Sequence, residues 1–155
     1  MGNKETHIAF NVLLADDDKD DRFFFKKALG DINIPTKLVT VPNGEQLMTY
    51  LSENSEKLPD VLFLDLNMPR KNGNECLVEI KEQVKLRNMP VIIYSTSLRD
   101  EVVDVLYDSG AHYYIQKCDF VELTKTLQTI FTVLSQNTKR PSRSKFVLSL
   151  KELKN

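Results

Sequence analysis

A doubly wound α/β fold built on a parallel sheet is the class this sequence predicts, and two observations carry it. Five short, apolar, β-rich runs alternate along the chain with five stretches of helical periodicity, the pattern of strands joined by crossover helices. The third run, Val61-Leu62-Phe63-Leu64, lies between Pro59 and Pro69. It is too short for a helix, and its unbroken apolar character suits a strand buried on both faces.

Each element has its own signal. Asn11 to Ala15 is apolar and ends in Asp16-Asp17-Asp18, with Asp18 placed to N-cap a helix over Lys19 to Leu29. Phe23, Phe24 and Phe25 in that helix cannot all face one core at a 3.6-residue period, so at least one is expected at the surface or against a partner. Lys37 to Val41 is the second strand. Gly44 to Ser52 is a short helix turning Leu47, Met48 and Leu51 inward. Beyond the third strand, Cys76, Leu77, Ile80 and Val84 recur at helical spacing in a segment that ends before Asn88. Pro90 introduces a fourth strand over VIIY, followed by Ser95-Thr96-Ser97 and a helix from Arg99 to about Asp108, closed by Ser109-Gly110. Tyr113 to Gln116 is the fifth strand. Asp119 then caps a helix to about Ser135, with Val121, Leu123, Leu127, Ile130, Phe131 and Leu134 as its apolar positions.

The composition narrows the function classes. With 155 residues, 41% hydrophobic and 28% charged, the chain is the size of one domain that needs no disulfide scaffold. A net charge of -1 gives no reason to expect nucleic-acid affinity. Cys76 and Cys118 lack metal-ligand spacing and fit two free thiols in a reducing cytosol. Residues 1–10 form an N-terminal extension without the apolar core of a signal peptide, and no apolar run approaches membrane-spanning length, so a cytoplasmic protein with no membrane partner is expected.

Ligands of such sheets gather at the carboxyl ends of the strands. That rule collects Asp16 and Asp17 after the first strand, Asp65 after the third, Ser95 after the fourth and Lys117 after the fifth. Carboxylates converging on one spot repel unless a hard cation joins them, and oxygen-only ligands favour Mg²⁺. Because Mg²⁺ usually keeps only one or two carboxylates and adds phosphate oxygens, a phosphoryl group is the natural further ligand. Asp65 is then the candidate nucleophile, with Lys117 and the Ser95 hydroxyl holding the other phosphoryl oxygens.

In their order and approximate spacing, VLLADDD, FLDLNMPRKNG, PVIIYST and GAHYYIQK resemble the response-regulator receiver family, the CheY-like domains of two-component phosphorelays. The resemblance spans roughly residues 11–135. It implies a five-stranded sheet in the flavodoxin-like order 2-1-3-4-5 and an Asp65 phosphorylated by a histidine kinase or histidine phosphotransfer protein. It also implies Mg²⁺ on Asp16 or Asp17, Asp65 and the backbone carbonyl of Asn67. By the same resemblance Ser95 is the switch hydroxyl, Tyr114 the switch aromatic and Lys117 the phosphate-binding lysine, and a downstream protein target reads the remodelled face.

The sequence departs from that family at three places. Cys118 stands where a proline usually follows the lysine, removing the expectation of a cis peptide. Asn72 replaces a common aspartate, and Thr96 is bulkier than the residue often beside the switch hydroxyl. Residues 136–155 lie outside the resemblance: SQNTKRPSRSK has the character of a linker, and Phe146 to Leu150 is expected to be a mobile tail, the alternatives being that it docks on the domain or pairs with another subunit in a homodimer. Two other functions compete with a stand-alone phosphoacceptor. A haloacid-dehalogenase-like phosphatase also uses a strand-end aspartate with Mg²⁺, but its DxDx(T/V) pattern supplies a second aspartate where this chain has Asn67. The other is a degenerate receiver that only binds partners, which the intact acidic residues oppose.

Overall fold

The structure is a computed structural model describing residues 9–96 and 99–148. β1 (Phe10–Ala15), β2 (Thr36–Val41), β3 (Val61–Leu64), β4 (Val91–Ser95), β5 (Tyr113–Gln116) and β6 (Val147–Leu148) form one parallel sheet in the order β2-β1-β3-β4-β5-β6. The first five positions match the expected order. A sixth strand extends it beyond β5.

Alternation along each central strand sorts the core into two layers, because successive side chains leave opposite faces. Leu13, Leu62, Leu64, Val91, Ile93 and Tyr114 pack on one face with α2 (Gly44–Glu53), α3 (Gly73–Glu82) and α4 (Asp100–Asp108). Val12, Leu14, Phe63, Ile92 and Ile115 face α1 (Lys19–Gly30) and α5 (Phe120–Gln136) on the other. Both faces are therefore covered, as a continuous apolar strand such as β3 requires.

The helix starts follow local chemistry. The Asp18 carboxylate accepts from the amides of Asp20 and Asp21, Asn72 forms a capping box with Glu75, and Asp119 accepts from the amide of Glu122. Gly73 sits where a Cβ would run into the Asp65 backbone carbonyl, so α3 can start this close to β3 only with glycine there.

Three expectations need correction. Val84 is not part of α3, which ends at Glu82; the chain tightens there, with the Gln83 amide donating to Ile80, and Leu86 is buried instead while Val84 is exposed. Val121 in the first turn of α5 is exposed, because the apolar face begins at Leu123. The segment after α5 docks rather than standing free: Phe146 is fully buried and Val147–Leu148 pair with Tyr114 and Ile115 of β5. Of the apolar piece beginning at Phe146, Ser149 and Leu150 lie outside the described residues. Phe146 meets Tyr107 and Tyr114 edge-on, Tyr107 donates its hydroxyl to the Pro141 carbonyl, and Arg140 stacks on the Tyr107 ring. A short polar stretch was enough to hide one aromatic anchor. Among the described residues no peptide bond is cis, and no helix is long and apolar enough to cross a membrane.

Candidate functional site

The sheet's own hydrogen bonds aim the site. Just past the strand ends, the Asp16 amide donates to Val41, the Asp65 amide to Ala15 and the Lys117 amide to Ser95, at 3.1, 3.0 and 2.7 Å. Each functional residue thus takes the last ladder bond of its strand. Its side chain leaves from a fixed backbone position rather than from a free loop.

Those side chains meet. Carboxylate oxygens of Asp16, Asp17 and Asp65 all lie within 4.8 Å of one another. The Lys117 ammonium is 2.9 Å from Asp16 Oδ2 and 3.3 Å from Asp65 Oδ2. Asp16 and Asp65 are buried and Asp17 is exposed, so the cluster opens to solvent on the Asp17 side. Ser95 ends β4, one strand over from Asp65, with its hydroxyl buried and without a hydrogen-bond partner among the described residues. The Asn67 amide donates to Asp65 Oδ1 at 3.2 Å, drawing the loop after β3 around the carboxylate. In that loop Arg70 adopts φ 70, the left-handed region, and the chain then returns to cap α3 through Asn72. Tyr114 stands apart. It is fully buried on the α4 side of the sheet, against Phe146, and its amide donates to the Phe146 carbonyl.

Crowding and burial perturb Asp16, Asp65 and Lys117. Loss of solvent pushes Asp16 up to about 6, against the pull of the Asp18 amide and Lys117. Burial raises Asp65 as well, again opposed mainly by Lys117. Burial also works against the Lys117 charge, yet hydrogen bonding to Asp21 and Asp16 outweighs it and holds the ammonium above its ordinary value.

Three contributors escaped the sequence reading. Asp21, on the first turn of α1, accepts the shortest of the Lys117 hydrogen bonds at 2.7 Å. Arg22 donates to the Asp16 carbonyl at 2.7 Å, and the Tyr94 ring lies 5.3 Å from the Lys117 nitrogen. For Asp21 and Arg22 the signal is positional: the first helical turn after an acidic strand end folds back over that end.

The donor set fits a hard divalent cation. Oδ2 of Asp16 is buried, and its neighbouring cation is the Lys117 ammonium 2.9 Å away, which is shared with Asp21 and Asp65. One ammonium shared among several carboxylates leaves a buried acidic group short of positive charge, which a divalent cation would supply.

Comparison with known proteins agrees with this geometry. The model of the response regulator receiver domain matches residues 12–128. The response regulator Rcp1 of Synechocystis is 31% identical over 124 residues, covering 77% of this chain and 84% of that protein. A probable methanogenesis regulatory protein, FilR2, of Methanothrix harundinacea is 26% identical over 130 residues, covering 81% of this chain and 84% of that protein. Among solved structures, the phosphorylated cyanobacterial phytochrome response regulator RcpA superposes with a TM-score of 0.76 at 31% identity, covering 87% of this chain and 100% of that one. The Mn²⁺-bound form of Rcp1 superposes with a TM-score of 0.73 at 28% identity, covering 86% of this chain and 99% of that one. With the strand-end carboxylates, the lysine and the matched length in agreement, this chain belongs to the response-regulator receiver family of two-component signalling.

Proposed function

We propose that Asp65 is the phosphoacceptor of this receiver and that the chain signals through protein contact once it is loaded. The observation that carries the reading is the convergence of Asp16, Asp17 and Asp65 within 4.8 Å, with the Lys117 ammonium 3.3 Å from Asp65. Asp65 Oδ attacks the phosphorus of a phosphohistidine on a histidine kinase or phosphotransfer protein. The nitrogen–phosphorus bond breaks, its electron pair returns to the imidazole, which takes up a proton, and Asp65 becomes an acyl phosphate. Lys117 meets a phosphoryl oxygen from one side, and the buried Ser95 hydroxyl, without a partner among the described residues, offers a donor from another. Asp16 or Asp17, Asp65 and the Asn67 carbonyl would hold Mg²⁺, which when bound offsets the charge spread over the phosphoryl oxygens.

Ser95 and Tyr114 form the switch in this reading. A hydroxyl drawn to the phosphoryl group shifts the end of β4, and Tyr114 moves in response. Since the Tyr114 amide is bonded to Phe146, that motion passes directly into the C-terminal segment, which makes α4, β5 and residues 140–148 the surface offered to a downstream protein. The donor has a different approach: Phe23 and Phe24 on α1 are exposed and pack edge-on against each other beside the acidic edge. Free thiols at Cys76 and Cys118 fit a cytoplasmic setting.

Incubation with Mg²⁺ and acetyl phosphate, followed by intact mass, tests the reading. A gain of one phosphate that disappears in Asp65→Asn is the expected result. No gain, or a gain that survives in Asp65→Asn, rejects it, and sustained turnover of free phosphoesters favours a phosphatase. Phe24→Ala should slow transfer from a phosphohistidine donor while leaving acetyl phosphate loading intact; equal transfer rates would remove the α1 docking face.

A further inference from the structure

A lysine ammonium has three N–H donors and one charge to share. In this structure three carboxylates compete for it: Lys117 lies 2.7 Å from Asp21, 2.9 Å from Asp16 and 3.3 Å from Asp65, and Asp17 stands beside the last two. Asp16 and Asp65 are also the buried members of the carboxylate group that fits a divalent cation. Ammonium and metal therefore seek the same oxygens, and like charges at such distances repel strongly in a partly buried site. Asp21 alone among the lysine's partners lies outside that group. It is reached from α1, its side chain is one-third exposed, and the Tyr94 ring packs near the ammonium as a further support.

We propose that Asp21 is a positioning residue that holds the Lys117 ammonium clear of Asp16 and Asp65 when a divalent cation takes those carboxylates, and so strengthens cation binding. The inference rests on the acidic cluster being the receiver's metal site and deepens that reading. Without Asp21 the lysine, whose side chain is only 11% exposed, has no carboxylate partner outside the cluster among the described residues, so it stays on Asp16 and Asp65 and opposes the metal. With Asp21 the ammonium stays paired throughout. Held at the edge of the cluster, it stays within reach of a phosphoryl oxygen carried by Asp65.

Mn²⁺ titration of the full chain, followed by the electron paramagnetic resonance signal of the free ion, tests this. Asp21→Asn should weaken Mn²⁺ binding by about fivefold or more, within the range of coupling between groups in contact. Asp20→Asn, which removes the same charge from an exposed neighbour on the same turn, should weaken it much less. In a Lys117→Met background, Asp21→Asn should have no such effect, because the competing ammonium is gone. Asp21→Glu, which keeps the carboxylate, should recover most of the loss. Unchanged affinity in Asp21→Asn, an equal loss in Asp20→Asn, or the full loss persisting with Lys117→Met would overturn the proposal, the last two by reducing Asp21 to bulk charge. The phosphate mass assay separates the two readings. Failure of Asp65 to load while the Mn²⁺ linkage holds removes the phosphoacceptor, whereas loading with an unaltered Mn²⁺ affinity in Asp21→Asn removes only the role of Asp21.

Discussion

The charged edge of the sheet and the C-terminal segment from Arg140 to Leu148 both lean on β5, yet they are held by opposite means. At the edge, Asp16, Asp65 and Lys117 are buried or nearly so at some cost, and burial pushes both carboxylates up toward their neutral forms. In the segment a single aromatic side chain, Phe146, is fully buried between Tyr107 and Tyr114, and the polar residues around it serve as clips. The difference teaches that function sits where stability is given up, while the strand that seals the neighbouring face is ordinary apolar packing.

The sharpest way to break the comparison is Phe146→Ala. Truncating a wholly buried phenylalanine costs about 3 kcal/mol. The expected result is a lower urea midpoint with an unchanged denaturant slope, and a midpoint within error of the parent would show that the segment contributes no stability.

A pH titration comes next in size, because His112 lies buried near the start of the same segment. Burial, helped by Lys81 and Arg140 and opposed by a hydrogen bond to the Thr138 backbone, lowers this histidine from 6.5 to about 4. The unfolded chain takes up its proton near the ordinary value and the folded chain only near the lower one. Stability from the neutral ring is therefore fully present above pH 6.5 and is lost as the pH falls toward 4, by on the order of 2 to 3 kcal/mol. Urea midpoints across that window should fall in the parent and fall less in His112→Gln; parallel curves would contradict the buried, neutral histidine.

Asp65→Asn sharpens the other half. Since burial raises the Asp65 carboxyl, the charged form is held at a cost, and a neutral side chain of the same shape should stabilise the metal-free protein at pH 7. A thermal midpoint below that of the parent, measured with chelator present, would mean that the Lys117 pairing outweighs desolvation. The smallest effect belongs to Arg143→Ala. Its 2.7 Å ion pair with Asp104 is exposed on both sides, so a loss under about 1 kcal/mol is expected, and a larger one in the same assay would give this clip more weight than its exposure allows.

Much of the charged edge was legible because charge at the end of an apolar run is conspicuous. Asp16, Asp17, Asp65 and Lys117 each follow such a run, and one topological rule about parallel sheets brings them together. Asp21 was hidden among first-turn acids, where Asp20 and Asp21 look alike as partners of the helix dipole and only the helix's path shows which one meets the lysine. Val84 and Val121 erred in the opposite way. Their spacing suited a helix face, but the end of α3 and the start of α5 turned them to solvent. Phe146 carried no periodic signal, since the apolar piece it opens is short and its Val147–Leu148 strand has only two residues.

By itself the sequence determined the alternation of strands and helices, and with it the edge on which chemistry gathers, because side-chain periodicity and strand-end charge are local properties. Tertiary structure alone decided that Lys117 answers to Asp21 as well as to the acidic cluster, and that the chain after α5 returns to add a sixth strand over Tyr114. Both depend on the distance between segments remote in the chain. Hydrophobic burial and ion pairing act across space, and one-dimensional spacing does not encode which distant neighbour a side chain will meet.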